Sequence, residues 1–124
     1  MKILLAEDDS DMRRFLVKAL EKAGYAVQAF DNGASAYERL REEPFSLLLT
    51  DIVMPEMDGP TMLKVIRDKM PRLKIIFVSG YAEESVRRDI EDDQSVDFLP
   101  KPYSLDQINS KVKEVLRRMD KGDS

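Results

Sequence analysis

Along this chain, short runs dense in apolar residues alternate with longer stretches in which apolar residues return every three or four positions. Lys2–Ala6, Ala26–Phe30, Leu47–Thr50, Lys74–Val78 and Val96–Leu99 belong to the first kind, and their density of Leu, Ile, Val and Phe predicts five strands. Between the first two, Met12, Phe15, Leu16, Ala19, Leu20 and Ala23 keep helical spacing over Ser10–Ala23, and Gly24 suits the left-handed residue that ends a helix. A second helix is predicted over Ala34–Arg41, after the turn-prone Asp31, Asn32 and Gly33. Pro60 suits the first turn of a third, which carries Met62, Leu63, Ile66 and Met70. A fourth is expected over Glu83–Asp93 with marginal local stability, because only Val86 and Ile90 hold a core spacing there. Ser104 and Gln107 form a capping box for the last helix, with Ile108, Val112, Val115, Leu116 and Met119 on its inner face.

Strands alternating with helices on short connections pair in parallel, cross over right-handedly and place helices on both sides of one sheet. The strands also lack a polar-apolar alternation, as expected of a sheet covered twice. The predicted fold class is α/β: a (βα)5 doubly wound, flavodoxin-like parallel five-stranded sheet in the order 2-1-3-4-5. One domain is expected over residues 1–119, followed by a charged, frayed tail at 120–124.

Composition narrows the chemistry. A chain of 124 residues with 43% hydrophobic content can bury the core of one domain. Without Cys there is no disulfide framework and no thiolate nucleophile, which suits a reducing cytoplasm, the expected location. No apolar run approaches the roughly 18 residues of a membrane helix, and no exported or anchored form is expected. A net charge of -4 argues against a nucleic-acid surface, so the expected partners are proteins. His is absent, and any imidazole chemistry must be borrowed from another molecule.

In a doubly wound sheet, ligands bind beyond the carboxyl ends of the strands where the order reverses, here between the first and third strands. The first strand runs into Glu7, Asp8 and Asp9, the third into Asp51, the fourth into Ser79, and Lys101 follows the fifth. Neighbouring strands lie about 4.8 Å apart, so the acids converge. Two charges about 4 Å apart repel by roughly 4 kcal/mol at an effective dielectric of 20, and something positive must relieve them. Oxygen ligands without His or Cys suit Mg²⁺, and Lys101 can carry an ammonium across the top of the fourth strand. An ion, an ammonium, a hydroxyl and an outward-facing acid make a site for a phosphoryl group.

The spacing of Glu7 and Asp8, of Asp51 with Met54-Pro55 and Asp58-Gly59, of Ser79, and of Lys101-Pro102 resembles that of bacterial two-component response-regulator receiver domains, the CheY-like family. The likeness spans nearly the whole chain. It implies that Asp51 accepts a phosphoryl group from the phosphohistidine of a histidine phosphotransferase or sensor histidine kinase. It further implies Mg²⁺ held by Asp8, Asp51 and the backbone carbonyl of Val53, with Glu7 acting through water. Ser79 and Lys101 would contact the phosphoryl oxygens, a cis Lys101-Pro102 bond would aim the lysine, and Phe98 would change rotamer on activation. Met12, Phe15 and Pro102 would contact partners. The signal would leave through contact with a downstream protein, in a phosphoacceptor that assists its own phosphorylation and is not an enzyme. Residues up to about Asp58 look like a stand-alone receiver that controls a protease adaptor pathway, and Gly59–Leu116 like the receiver that ends a hybrid histidine kinase, which suggests a chain of mixed character.

Asp9 is read as the cap of the first helix. The alternative function is a Mg²⁺-dependent phosphohydrolase on the same fold, which calls for an acid two residues after the nucleophile, where this chain has Val53. A nucleotide-binding module calls for a glycine-rich loop after the first strand, where acids stand instead.

Overall fold

The computed structural model describes residues 1–52, 59–70, 73–79 and 96–120. Its elements in chain order are β1 (Lys2–Ala6), α1 (Ser10–Lys22), β2 (Ala26–Phe30), α2 (Gly33–Glu42), β3 (Leu47–Asp51), α3 (Gly59–Lys69), β4 (Lys74–Ser79), β5 (Val96–Pro100) and a C-terminal helix (Leu105–Asp120). The strands form one parallel sheet in the order β2-β1-β3-β4-β5. Fold class and strand order are therefore those expected from the sequence. The helix expected over Glu83–Asp93 lies outside the described residues, as do Val53, Met54, Pro55 and Asp58.

Successive strand residues face opposite sides, and each side has its own core. Leu4, Ala6, Leu48, Ile75 and Phe77 meet α2 and α3 through Ala36, Leu40, Met62 and Ile66. Ile3, Leu5, Leu47, Leu49 and Ile76 meet α1 and the C-terminal helix through Leu16, Leu20, Ile108 and Val112. All these residues are buried, and full burial of one such side chain stabilises by about 1.5–3 kcal/mol.

The helix ends are set by local chemistry. Asp9 caps α1, its Oδ1 accepting the Met12 N–H at 2.9 Å, and Asn32 caps α2 by accepting from Ser35 N–H at 2.7 Å. Gly24 follows α1 with φ of 101°, a left-handed conformation that favours glycine. The capping box is reciprocal: Ser104 N–H donates to Gln107 Oε1 at 2.7 Å, and Gln107 N–H to Ser104 Oγ at 3.1 Å. The C-terminal helix runs to Asp120, and the rest of the expected tail lies outside the described residues.

Two details depart from the sequence pattern. Ala23 is exposed and Phe15 is 43% exposed, so α1 buries a narrower stripe of Leu16, Ala19 and Leu20. Phe15 sits about 100° around the helix from Leu16, at the rim of the contact, and Ala23 falls where the chain turns away. β2 is also less buried than its composition suggests, with Ala26 exposed and the remainder half-buried, because an outermost strand has one neighbour. No helix among the described residues is long and apolar enough to cross a membrane.

Candidate functional site

The ladder pairs Ala6 of β1 with Thr50 of β3, so the residues that follow, Glu7 and Asp51, emerge at the same level of the sheet. Asp51 pairs with Val78 of β4, which places Ser79 one step further out along the same margin. Glu7 is 3% exposed and Asp51 5%, whereas Asp8 is exposed. Glu7, Asp8 and Asp51 each offer a carboxylate oxygen, and these atoms all lie within 4.8 Å of one another.

Such crowding has to be relieved, and the chain relieves part of it. Lys101 follows β5 and crosses above β4 to bring its Nζ to 2.8 Å from Asp51 Oδ2, closing an ion pair between a partly exposed ammonium and a buried carboxylate. The Lys101-Pro102 bond is cis. Burial pushes the Glu7 carboxyl up to about 7; the charge of Asp51 and a hydrogen bond with Asp8 push the same way, while the Asp9 N–H and Lys101 pull it down. Three carboxylates facing Lys101 leave an excess of negative charge, and every donor in the set is a hard oxygen. The residues present thus fit a small divalent cation.

The backbone beneath the acids is fixed by several bonds. Glu7 N–H donates to Phe30 O at 2.9 Å, Asp9 N–H to Glu7 Oε2 at 3.0 Å, and Arg13 Nη1 to the Glu7 carbonyl at 2.8 Å. Thr50, also buried, donates its hydroxyl to the Asp51 carbonyl at 3.0 Å.

A family model for the response regulator receiver domain matches residues 3–113. The chain belongs to this family. The receiver is 56% identical over 115 residues to the response regulator receiver protein CpdR of Brucella abortus (strain 2308), covering 93% of this chain and 96% of that one. It is 43% identical to the sensor kinase CckA of the same organism, covering 95% of this chain but only 13% of the kinase. Each relative aligns along nearly the whole receiver. Among solved structures, a response regulator receiver domain protein from Clostridium thermocellum shares the fold at a TM-score of 0.89 and 20% identity, covering 96% of each chain. The apo receiver domain of nitrogen regulatory protein C matches at a TM-score of 0.83 and 30% identity, covering 94% of each. Membership of the family supports a phosphoacceptor role.

Of the residues singled out in the sequence, the receiver gathers Glu7, Asp8, Asp51 and Lys101 into one cup and sets Ser79 at its margin. Phe98 is half-buried beside Phe77, with ring centroids 6.1 Å apart, on the side of the sheet covered by α2 and α3. Met12 is half-buried against the opposite core, while Phe15 and Pro102 are exposed. Asp9 serves as a cap, as read from the sequence.

Two residues near the cup were not visible to sequence reasoning. Arg13 stands off the apolar stripe of α1, so periodicity passes over it. Tyr103, directly after Lys101-Pro102, packs against the core shared with α1 and the C-terminal helix, and its hydroxyl oxygen is buried with no hydrogen-bond partner among the described residues. Burial, then the charges of Glu7 and Asp51, push its ionisation up, so it stays a neutral phenol. Leaving a hydroxyl buried and unmatched costs about 1–3 kcal/mol. Tyr103→Phe is therefore expected to stabilise the receiver by about 1 kcal/mol, raising the melting temperature by about 4 °C. Thermal unfolding followed by circular dichroism checks this, and a lower melting temperature would show that the hydroxyl has a partner in solution.

Proposed function

We propose that the receiver takes a phosphoryl group from the phosphohistidine of a histidine phosphotransferase or sensor kinase onto Asp51 and signals through protein contact. The observation that carries this reading is Asp51 itself, a buried strand-end carboxylate held 2.8 Å from Lys101 and within 4.8 Å of the carboxylates of Glu7 and Asp8. An Asp51 oxygen attacks phosphorus and forms the acyl phosphate bond as the phosphorus-nitrogen bond breaks, and the departing imidazole keeps its electron pair and picks up a proton. That imidazole belongs to the partner, since this chain has no His. β3, buried along its length, holds the nucleophile in place, which removes much of the entropic cost of bringing two reactants together.

Asp8 and Asp51, with Glu7 through water and the Val53 carbonyl, are the groups proposed to hold Mg²⁺, which when bound supplies positive charge for the phosphoryl oxygens. Lys101 then shifts its ammonium from the carboxylate to a phosphoryl oxygen, and Ser79 contributes its hydroxyl. We assign the response to Phe98, which changes rotamer beside Phe77. Met12, Phe15 and Pro102 are proposed to meet the donor or the downstream target. In this reading the receiver works in the cytoplasm and modifies itself without turning over a substrate.

Transfer from a radiolabelled phosphotransferase tests the proposal. Wild-type protein is expected to take up one label per chain in Mg²⁺ and to slow by at least about 100-fold in EDTA, a loss in keeping with one removed electrostatic stabiliser. Label uptake indifferent to EDTA would remove the metal from the proposal. Sustained turnover of small phosphate esters would favour a phosphohydrolase instead.

A further inference from the structure

The acid cup is built on the short segment that links β1 to α1, and its middle residue, Asp8, has an exposed side chain. An exposed carboxylate is held in one direction chiefly by the backbone on either side of it. On the following side, Asp9 is tied to α1: its carboxylate accepts from Met12 N–H and its carbonyl from Arg13 N–H at 2.9 Å. On the preceding side, the Glu7 carbonyl leaves the sheet just as β1 ends, at a residue that is itself buried. A carbonyl in such a place is costly unless it is bonded. Its recorded donor is the Arg13 guanidinium at 2.8 Å, reaching back six residues from the first turn and a half of α1.

We infer that Arg13 is a positioning residue for the metal cup, clamping the Glu7 carbonyl so that Glu7 and Asp8 present their oxygens toward Asp51. The inference rests on the proposed reading that this cup binds a divalent cation. Arg13 suits the task because its charge is always present and its hydrogen bond to the carbonyl is charge-assisted. It performs the clamp without pairing with the carboxylates, and so without occupying the oxygens the cation needs. Helix and segment are thereby joined through Glu7 as well as through the Asp9 cap. Partners that orient metal ligands from behind commonly contribute 10–100-fold in affinity.

The sign of the effect separates this role from simple electrostatics. Removing a positive charge beside a cation site should by Coulomb's law tighten cation binding. Loss of a clamp should weaken it. Titration of Mg²⁺ into metal-free protein by calorimetry is expected to show affinity about tenfold weaker for Arg13→Met and restored to within about twofold by Arg13→Lys, which keeps a donor and the charge. Arg13→Gln, too short to reach the carbonyl, should behave as Arg13→Met and replaces it if that variant does not fold. Affinity unchanged or tighter in both neutral variants, even with a lower melting temperature, would overturn the inference and leave Arg13 a purely structural residue. Failure of the wild-type protein itself to bind Mg²⁺ would overturn the parent reading and this one with it.

Discussion

Asp51→Asn should take up no phosphoryl group under conditions where the wild-type protein takes up one, a fall of at least about 100-fold in labelling. The amide has nearly the shape of the acid but lacks the charge and the basicity that make a carboxylate oxygen a nucleophile. The surroundings argue that the variant folds. Asp51 contributes repulsion to Glu7, which the amide abolishes, and it pairs with Lys101, whose side chain is 37% exposed and can return to water. The two changes oppose one another, so the melting temperature should shift little. Intact-mass measurement after incubation with a phosphorylated phosphotransferase and Mg²⁺ reads the result directly. Equal labelling of both proteins would move the acceptor away from Asp51 and end the proposed function.

Glu7→Gln gives the larger effect on stability, and its sign depends on pH. The Glu7 carboxyl is held up to about 7 in the folded protein against an ordinary value of 4.5, chiefly by burial. A raised carboxyl favours the folded state below 4.5, where the group is protonated in both states. That contribution is lost as pH rises toward about 7, because the unfolded chain ionises first. Glutamine does not ionise, and its amide oxygen can still accept the Asp9 N–H. In metal-free buffer the variant should therefore match the wild type near pH 4.5 and exceed it by about 2–3 kcal/mol at pH 8. Saturating Mg²⁺ should narrow or reverse the gap, since the cation stabilises the folded wild type by about 2.7 kcal/mol at a hundred times its dissociation constant. Urea unfolding at the two pH values, with EDTA and with Mg²⁺, checks both halves. A difference independent of pH would show that Glu7 carries no unfavourable charge in the folded state.

Strand order and the composition of the cup were legible because both follow from short-range rules. Largely apolar runs of four or five residues mark the strands, their alternation with helices forces parallel pairing, and the reversal between β1 and β3 then puts Glu7 next to Asp51 without any knowledge of side-chain geometry. Lys101 was legible for the same reason, since only its reach across β4 mattered. What escaped depends on how a helix is rolled about its axis and on where a long side chain finds a carbonyl. Phe15 was read both as part of the apolar stripe of α1 and as a partner contact, and only the structure decides between them by leaving it outside, because periodicity gives the direction of a stripe and not its width. Arg13 and Tyr103 carry no periodic mark at all, and their positions follow from packing that only the assembled layers define.

The acceptor and its ammonium hang from opposite kinds of support. Asp51 ends β3, flanked by strands on both sides, while Lys101 hangs from β5, the last strand in the ladder, bonded along one edge. A new charge at the acceptor would therefore pull on the more yielding of its two anchors, and displacement should travel outward to that flank while the middle of the sheet stays put.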